Sequence, residues 1–102
     1  MDAAIGTAEA VALAAAGTPL IDVREQNEWD AGHAPEAVLL PMSQIQERLG
    51  ELPDGRMLIV CHSGARSARV TEYLRAQGHD AASVEGGMVA WPHAGGSIVS
   101  EA

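Results

Sequence analysis

Phenylalanine and lysine are absent from this chain, and cysteine and tyrosine occur once each. Each scarcity excludes something. With two Trp and one Tyr as its only aromatics, the core must be built mainly from Ala, Val, Leu and Ile. Such side chains pack elements closely but bury little area each. One cysteine cannot form an intrachain disulfide, so a reducing cytoplasm is the expected compartment. Positive charge is limited to six Arg against fourteen acidic residues, a net charge of −8. Nucleic acid and anionic membranes call for a basic face and are not expected as partners. No apolar run reaches the ~20 residues of a membrane span. The Ala-rich opening follows Asp2 and contains Glu9, without the basic start of a secretory signal.

What is present reads as one domain over residues 1–102, with a core from about 5 to 92 and a loosely held tail from 93 to 102. Thr7 to Ala16 has a helical pattern, with Thr7 as N-cap and Gly17 as stop. Pro19 to Val23 reads as a short strand, Glu25 to Ala31 as a helix ended by Gly32, and Val38 to Leu40 as a second strand. Ser43 to Leu49 is expected to be helical, Ser43 and Gln46 having capping-box spacing. Met57 to Val60 is a third strand, followed by a loop and a helix from Ser67 to Gln77 that Gly78 ends. Ala81 to Val84 is a fourth strand, and Gly86-Gly87 opens a last helical turn that Pro92 stops. Short apolar strands alternating with helices predict an α/β fold of three layers, a central parallel sheet with helices on both faces. Ligands of such sheets bind at the carboxyl ends of the strands, where Asp22, Val23, Arg24 and Cys61 fall.

The lone cysteine therefore stands where chemistry is expected. Cys61 ends an apolar run and faces the amino terminus of a helix, where N–H groups and the helix dipole favour a thiolate. Gly64 lets the following backbone turn, so that the amides of residues 62 to 67 can form an anion-binding nest. Arg66 closes the loop with a planar fork of donors. Such a cysteine acts as a nucleophile without a paired His, and the loop suits a negatively charged sulfur species or an oxyanion. Tyrosine phosphatases place one residue more between Cys and Arg. The tighter loop here suits sulfur bound to the cysteine better than a tetrahedral phosphate, which also disfavours an arsenate reductase. The four His and one Cys lack metal-ligand spacing, so no metal is expected, and no cofactor.

Four blocks of the chain resemble the rhodanese family, in order and over nearly the whole length. They are Leu20-Ile21-Asp22-Val23-Arg24 with Glu25 and Glu28-Trp29; Gly32-His33-Ala34-Pro35-Glu36-Ala37; Ile59 to Ser67 around the cysteine; and Glu85-Gly86-Gly87-Met88 with Ala90-Trp91. Glu36 stands where the family's second block usually has glycine, and His62 and Ser63 stand where thiosulfate-tuned loops often carry basic residues. The resemblance implies an α/β fold and sulfur transfer through a cysteine persulfide. Cys61 would take sulfur from a donor such as thiosulfate and pass it to cyanide, a thiol or a protein acceptor. A persulfide relay module for a basic protein partner, with little turnover of small molecules, is the alternative that the acidic charge suits.

The resemblance makes Cys61 and Arg66 the candidate catalytic residues, with His62, Ser63, Gly64, Ala65, Ser67, Arg24 and Asp22 as candidate substrate-binding residues. Several have a second reading. Arg66 either orients the donor's oxyanion or pairs with an internal carboxylate to hold the loop. Arg24 either reaches the pocket rim or pairs with Glu25 or Glu28 on the surface. Asp22 either positions Arg24 or caps the turn after its strand. His62 either donates to the donor or is an exposed loop residue. Arg69 either adds positive potential or pairs with Glu72, and His33 is expected to make a structural hydrogen bond.

Overall fold

The computed structural model describes residues 2–101. Five parallel strands form one sheet: β1 (Ala4–Ile5), β2 (Leu20–Asp22), β3 (Ala37–Leu39), β4 (Arg56–Val60) and β5 (Asp80–Val84), in the order β1-β5-β4-β2-β3. The helices are α1 (Thr7–Ala15), α2 (Gln26–Ala31), α3 (Ala65–Ala76) and α4 (Gly87–Ala90). This is the expected α/β architecture.

The sheet divides the apolar residues by parity, since successive side chains of a strand point to opposite faces. Leu20, Leu58, Val60, Ala82 and Val84 face one side with Ile5, where Ala10 and Ala14 of α1, Met88 and Trp91 close the layer. Ile21, Met57, Ile59, Cys61 and Ala81 face the other, against Val70 and Leu74 of α3 and against Leu40 and Ile45. Trp91, fully buried, is the largest side chain of the layer that Ala10 and Ala14 of α1 share.

β2 and β4 are neighbours in register Leu20↔Leu58, Ile21↔Ile59 and Asp22↔Val60. From β2 the chain goes on to β3 at one edge; from β4 it goes on to β5 on the opposite side. The crevice between the carboxyl ends of β2 and β4 is thus the topological switch point, where open α/β sheets bind ligands. Asp22 and Cys61 lie at that point.

Four sequence expectations are corrected. Residues 43–49 do not form an α-helix. Two 3-10 turns, Met42–Gln44 and Leu49–Glu51, bracket them, and the amides bond three residues back: Gln44 to Pro41, Ile45 to Met42, Arg48 to Ile45. The segment is shaped by docking Met42, Ile45, Leu49 and Leu52 on the core, and Ser43 Oγ donates to the Glu25 carboxylate at 3.1 Å instead of capping. Gly6, not Thr7, is the N-cap of α1; the Thr7 hydroxyl donates to the Glu85 carbonyl and ties α1 to the end of β5. Strand β1 was not foreseen, having only two residues. The tail is held rather than loose between Ile98 and Glu101, because Val99 and His33 exchange two backbone hydrogen bonds of 2.8 Å and the Glu101 amide bonds Asp30 O at 3.0 Å.

Candidate active site around Cys61

Cys61 follows β4 directly and is 1% exposed. The chain then turns through His62, Ser63 and Gly64 into α3. Gly64 takes φ +115°, a left-handed conformation that a side chain would strain, so glycine is what lets the loop enter the helix. The turn brings the Gly64 amide to 3.2 Å and the Ser67 amide to 3.3 Å from Sγ. The Ser67 hydroxyl lies 3.5 Å from the same sulfur. Burial pushes the thiol up. The Ser67 hydroxyl, with the amides of Ser67, Gly64 and Arg66, outweighs that and leaves Cys61 below the ordinary thiol range. The sulfur is a buried atom facing donors, the environment of a stabilised thiolate.

The outer side of the loop is fixed by α4. Its Met88 and Val89 amides donate to the carbonyls of Cys61 and His62 at 2.8 and 3.0 Å. This approach needs glycine at 87: a Cβ there would collide with both carbonyls, and φ is +55°. The Glu85-Gly86-Gly87-Met88 block is therefore the clamp of the cysteine loop.

The Arg66 side chain is held by a carboxylate. Its two terminal nitrogens form a bidentate pair with Glu28 of α2, at 2.7 and 2.8 Å. Hydrogen bonding to Arg66 pulls the Glu28 carboxyl down to about 2, and the same pairing raises Arg66. Of the two sequence readings for Arg66, the internal carboxylate is the one formed, and Glu28 is its partner. Glu28 Oε1 also accepts the Glu25 amide at 3.1 Å, which locks the first turn of α2. One carboxylate thus ties α2 to the loop.

Arg24 does not reach the rim, nor does it pair with Glu25 or Glu28. It is 5% exposed and folds back on Asp22, with Nε 3.0 Å from Oδ1 and Nη2 2.8 Å from Oδ2; Nη2 also donates to Gly32 O at 2.7 Å. Asp22 is fully buried, and a buried carboxylate requires such a partner. His62, Ser63 and Ala65 are exposed at the mouth, Gly64 is half-buried and Ser67 is buried. Arg69 is exposed and borders a separate cleft with Met42, Ile45 and Tyr73. His33 is buried, stacks on Trp29 at 3.6 Å between ring centres and bonds Trp29 O at 2.9 Å through Nδ1. Sequence reasoning offered Glu28 to Arg24 and not to Arg66, and it left Ser83 without a role. Ser83 Oγ lies 2.8 Å from Ser67 Oγ. A cleft of about 630 Å³ runs beside the loop, between α3 and the β1–β5 edge, walled by Ser63, Gly64, Ala68, Thr71, Ser83 and Gly86.

Known proteins are similar to this chain in sequence and fold. A model of the rhodanese-like domain matches residues 7–94. The YtwF protein of Bacillus subtilis is 45% identical over 73 residues, covering 71% of each chain. A sulfurtransferase of Allochromatium vinosum is 40% identical over 83 residues, covering 79% of this chain and 78% of its own. The crystal structure of a rhodanese-like domain protein from Staphylococcus aureus is 40% identical and superposes with a TM-score of 0.81, over 98% of this chain and 100% of that one. With a cysteine cradled by amides at the switch point of a five-stranded parallel sheet, and with a family match spanning α1 to the turn after α4, the chain belongs to the rhodanese-like domain family.

Proposed function

We propose that this chain is a sulfurtransferase that moves a sulfane sulfur from a donor such as thiosulfate to a thiophilic acceptor, cyanide or a thiol, through a persulfide on Cys61. The observation that carries the reading is the sulfur itself, which receives two backbone amides and approaches a hydroxyl at the start of α3. In the first half-reaction the thiolate attacks the outer sulfur of thiosulfate. The donor's S–S bond breaks, and sulfite leaves with the electron pair. In the second, the acceptor attacks the outer sulfur of the persulfide and the thiolate is regenerated. This is covalent catalysis in two steps, and it needs no general base once the thiol is ionised. The Gly64 and Ser67 amides hold the inner sulfur, and the exposed turn His62–Ser63 with Ala65 borders the outer one. Arg66 acts by holding the loop to Glu28. The sulfurtransferase of Allochromatium vinosum supports the class of reaction. The single free thiol suits a reducing cytoplasm, and among the described residues no helix is long and apolar enough to cross a membrane.

The net charge of −8 favours one second reading. An acidic protein repels a small dianion at long range and attracts a basic protein. A persulfide relay to a protein acceptor uses the same cradle with little small-molecule turnover. One experiment separates the two: incubation with thiosulfate, intact mass, then cyanide and an assay for thiocyanate. Gain of one sulfur with turnover supports the enzyme; gain of sulfur without turnover supports the relay. Cys61→Ser should abolish both the gain and the turnover with little change in fold. Full activity in that variant refutes the mechanism.

A further inference from the structure

Behind the cysteine loop lies a second buried hydroxyl with no place in the mechanism above. Ser83 is on β5, 5% exposed, with Oγ 2.8 Å from Ser67 Oγ. Ser67 Oγ has one hydrogen and three neighbours: Ser83 Oγ, the Gly64 carbonyl at 3.1 Å and Cys61 Sγ at 3.5 Å. The carbonyl can only accept. With the thiol protonated, the Ser67 hydrogen rests on Gly64 O, Ser83 donates to Ser67, and the S–H donates to Ser67 as well. Once the proton leaves, the sulfur becomes an acceptor, and only the Ser67 hydrogen can serve it from this side. That hydrogen is free to swing, because Gly64 O keeps a second donor in the Ala68 amide at 3.1 Å. Ser83 donates to Ser67 in both states, and a hydroxyl that accepts a hydrogen bond is the stronger donor.

We propose that Ser83 is a positioning residue for the Cys61 thiolate, acting through the Ser67 hydroxyl, which turns from the Gly64 carbonyl to the sulfur when the thiol ionises. The proposal deepens the reading of Cys61 as the nucleophile and rests on it. The charged groups around the thiol lie elsewhere: Arg66 on α3 with Glu28 of α2, the Asp22–Arg24 pair after β2, His62 on the loop and Glu85 after β5. Replacement of Ser83 alters none of them.

The test reads the thiol directly, from the rate of alkylation by iodoacetamide as a function of pH, in the wild type, Ser83→Ala, Ser67→Ala and the double variant. Ser83→Ala should raise the thiol pKa by about 0.5–1 and slow alkylation ~3–10-fold below it, with an unchanged melting curve. In the Ser67→Ala background the same replacement should add nothing. The isosteric pair Ser83→Thr and Ser83→Val, both suited to a strand, repeats the comparison should Ala disturb β5: Thr keeps the wild-type profile and Val loses it. An unshifted profile in a folded hydroxyl-free variant overturns the proposal, and so does an equal shift in the Ser67→Ala background. Alkylation needs no sulfur donor, so a wild type that gains no sulfur while Ser83→Ala shifts the profile would sink the sulfur-transfer reading alone.

Discussion

Glu28→Gln isolates the ion pair that ties α2 to the cysteine loop. The substitution keeps the shape of the side chain and an oxygen for the Glu25 amide, and removes the charge that faces Arg66 together with the second acceptor, Oε2. The Glu28 carboxyl is lowered from 4.5 to about 2 in the folded protein. Taken whole, that change equals ~3.4 kcal/mol. The side chains of Arg66 and Glu28 remain 31% and 29% exposed, so solvent screens the pair, and about 1–2 kcal/mol is the expected contribution. In a domain of this size that corresponds to a fall in Tm of roughly 5–10 °C at neutral pH. Because the folded carboxyl titrates below the unfolded one, the contribution is fully present above pH 4.5 and is lost as the pH falls towards 2. Urea unfolding of wild type and variant from pH 7 to pH 3 should give two curves separated by a constant gap down to about pH 5 that narrows below it. A gap independent of pH would refute the assignment of the stabilisation to this carboxylate.

Two further outcomes follow from contacts already described. Gly87→Ala places a methyl group against the carbonyls of Cys61 and His62 at a positive φ; it should destabilise by more than about 2 kcal/mol and reduce persulfide formation at least ~10-fold, read by urea unfolding and intact mass. Arg24→Met leaves Asp22 buried without its partner and should cost about 3–5 kcal/mol, part of which Asp22→Asn restores in the double variant, as urea midpoints will show.

The parts of the site that the sequence made legible are those that local rules dictate. An apolar run ending in Cys61, a Gly three residues later and a helical pattern behind it specify a strand, a turn and an N-terminus. Partnership across the fold was less legible. Glu28 stood in view as a partner for Arg24, yet it lies 38 residues from Arg66 and meets it only because β2 and β4 are neighbours. Both readings of Arg24, at the pocket rim or paired with Glu25 or Glu28, put it on the surface; its burial follows from the full burial of Asp22, which no local pattern reveals. Ser83 carried no signal, being one small polar residue in an apolar strand. The segment from Ser43 to Leu49 misled for a related reason: Ser43 and Gln46 have the spacing of a capping box, but Ser43 bonds Glu25 across the fold, and Met42, Ile45 and Leu49 are pinned to the core without a helix.

The clamp from α4 also sets which way the peptides of the cysteine loop point. Across a trans peptide the carbonyl and the next amide point in opposite directions. Drawing the carbonyls of Cys61 and His62 out towards Met88 and Val89 therefore aims the His62 and Ser63 amides the other way. The donors that do this lie some 27 residues downstream of the carbonyls they grip. A nascent chain that has emerged only as far as Glu85 carries the cysteine and α3, but its loop is unbraced. The brace on the cysteine loop is thus supplied by the last helical turn of the domain, not by the segment that carries the nucleophile.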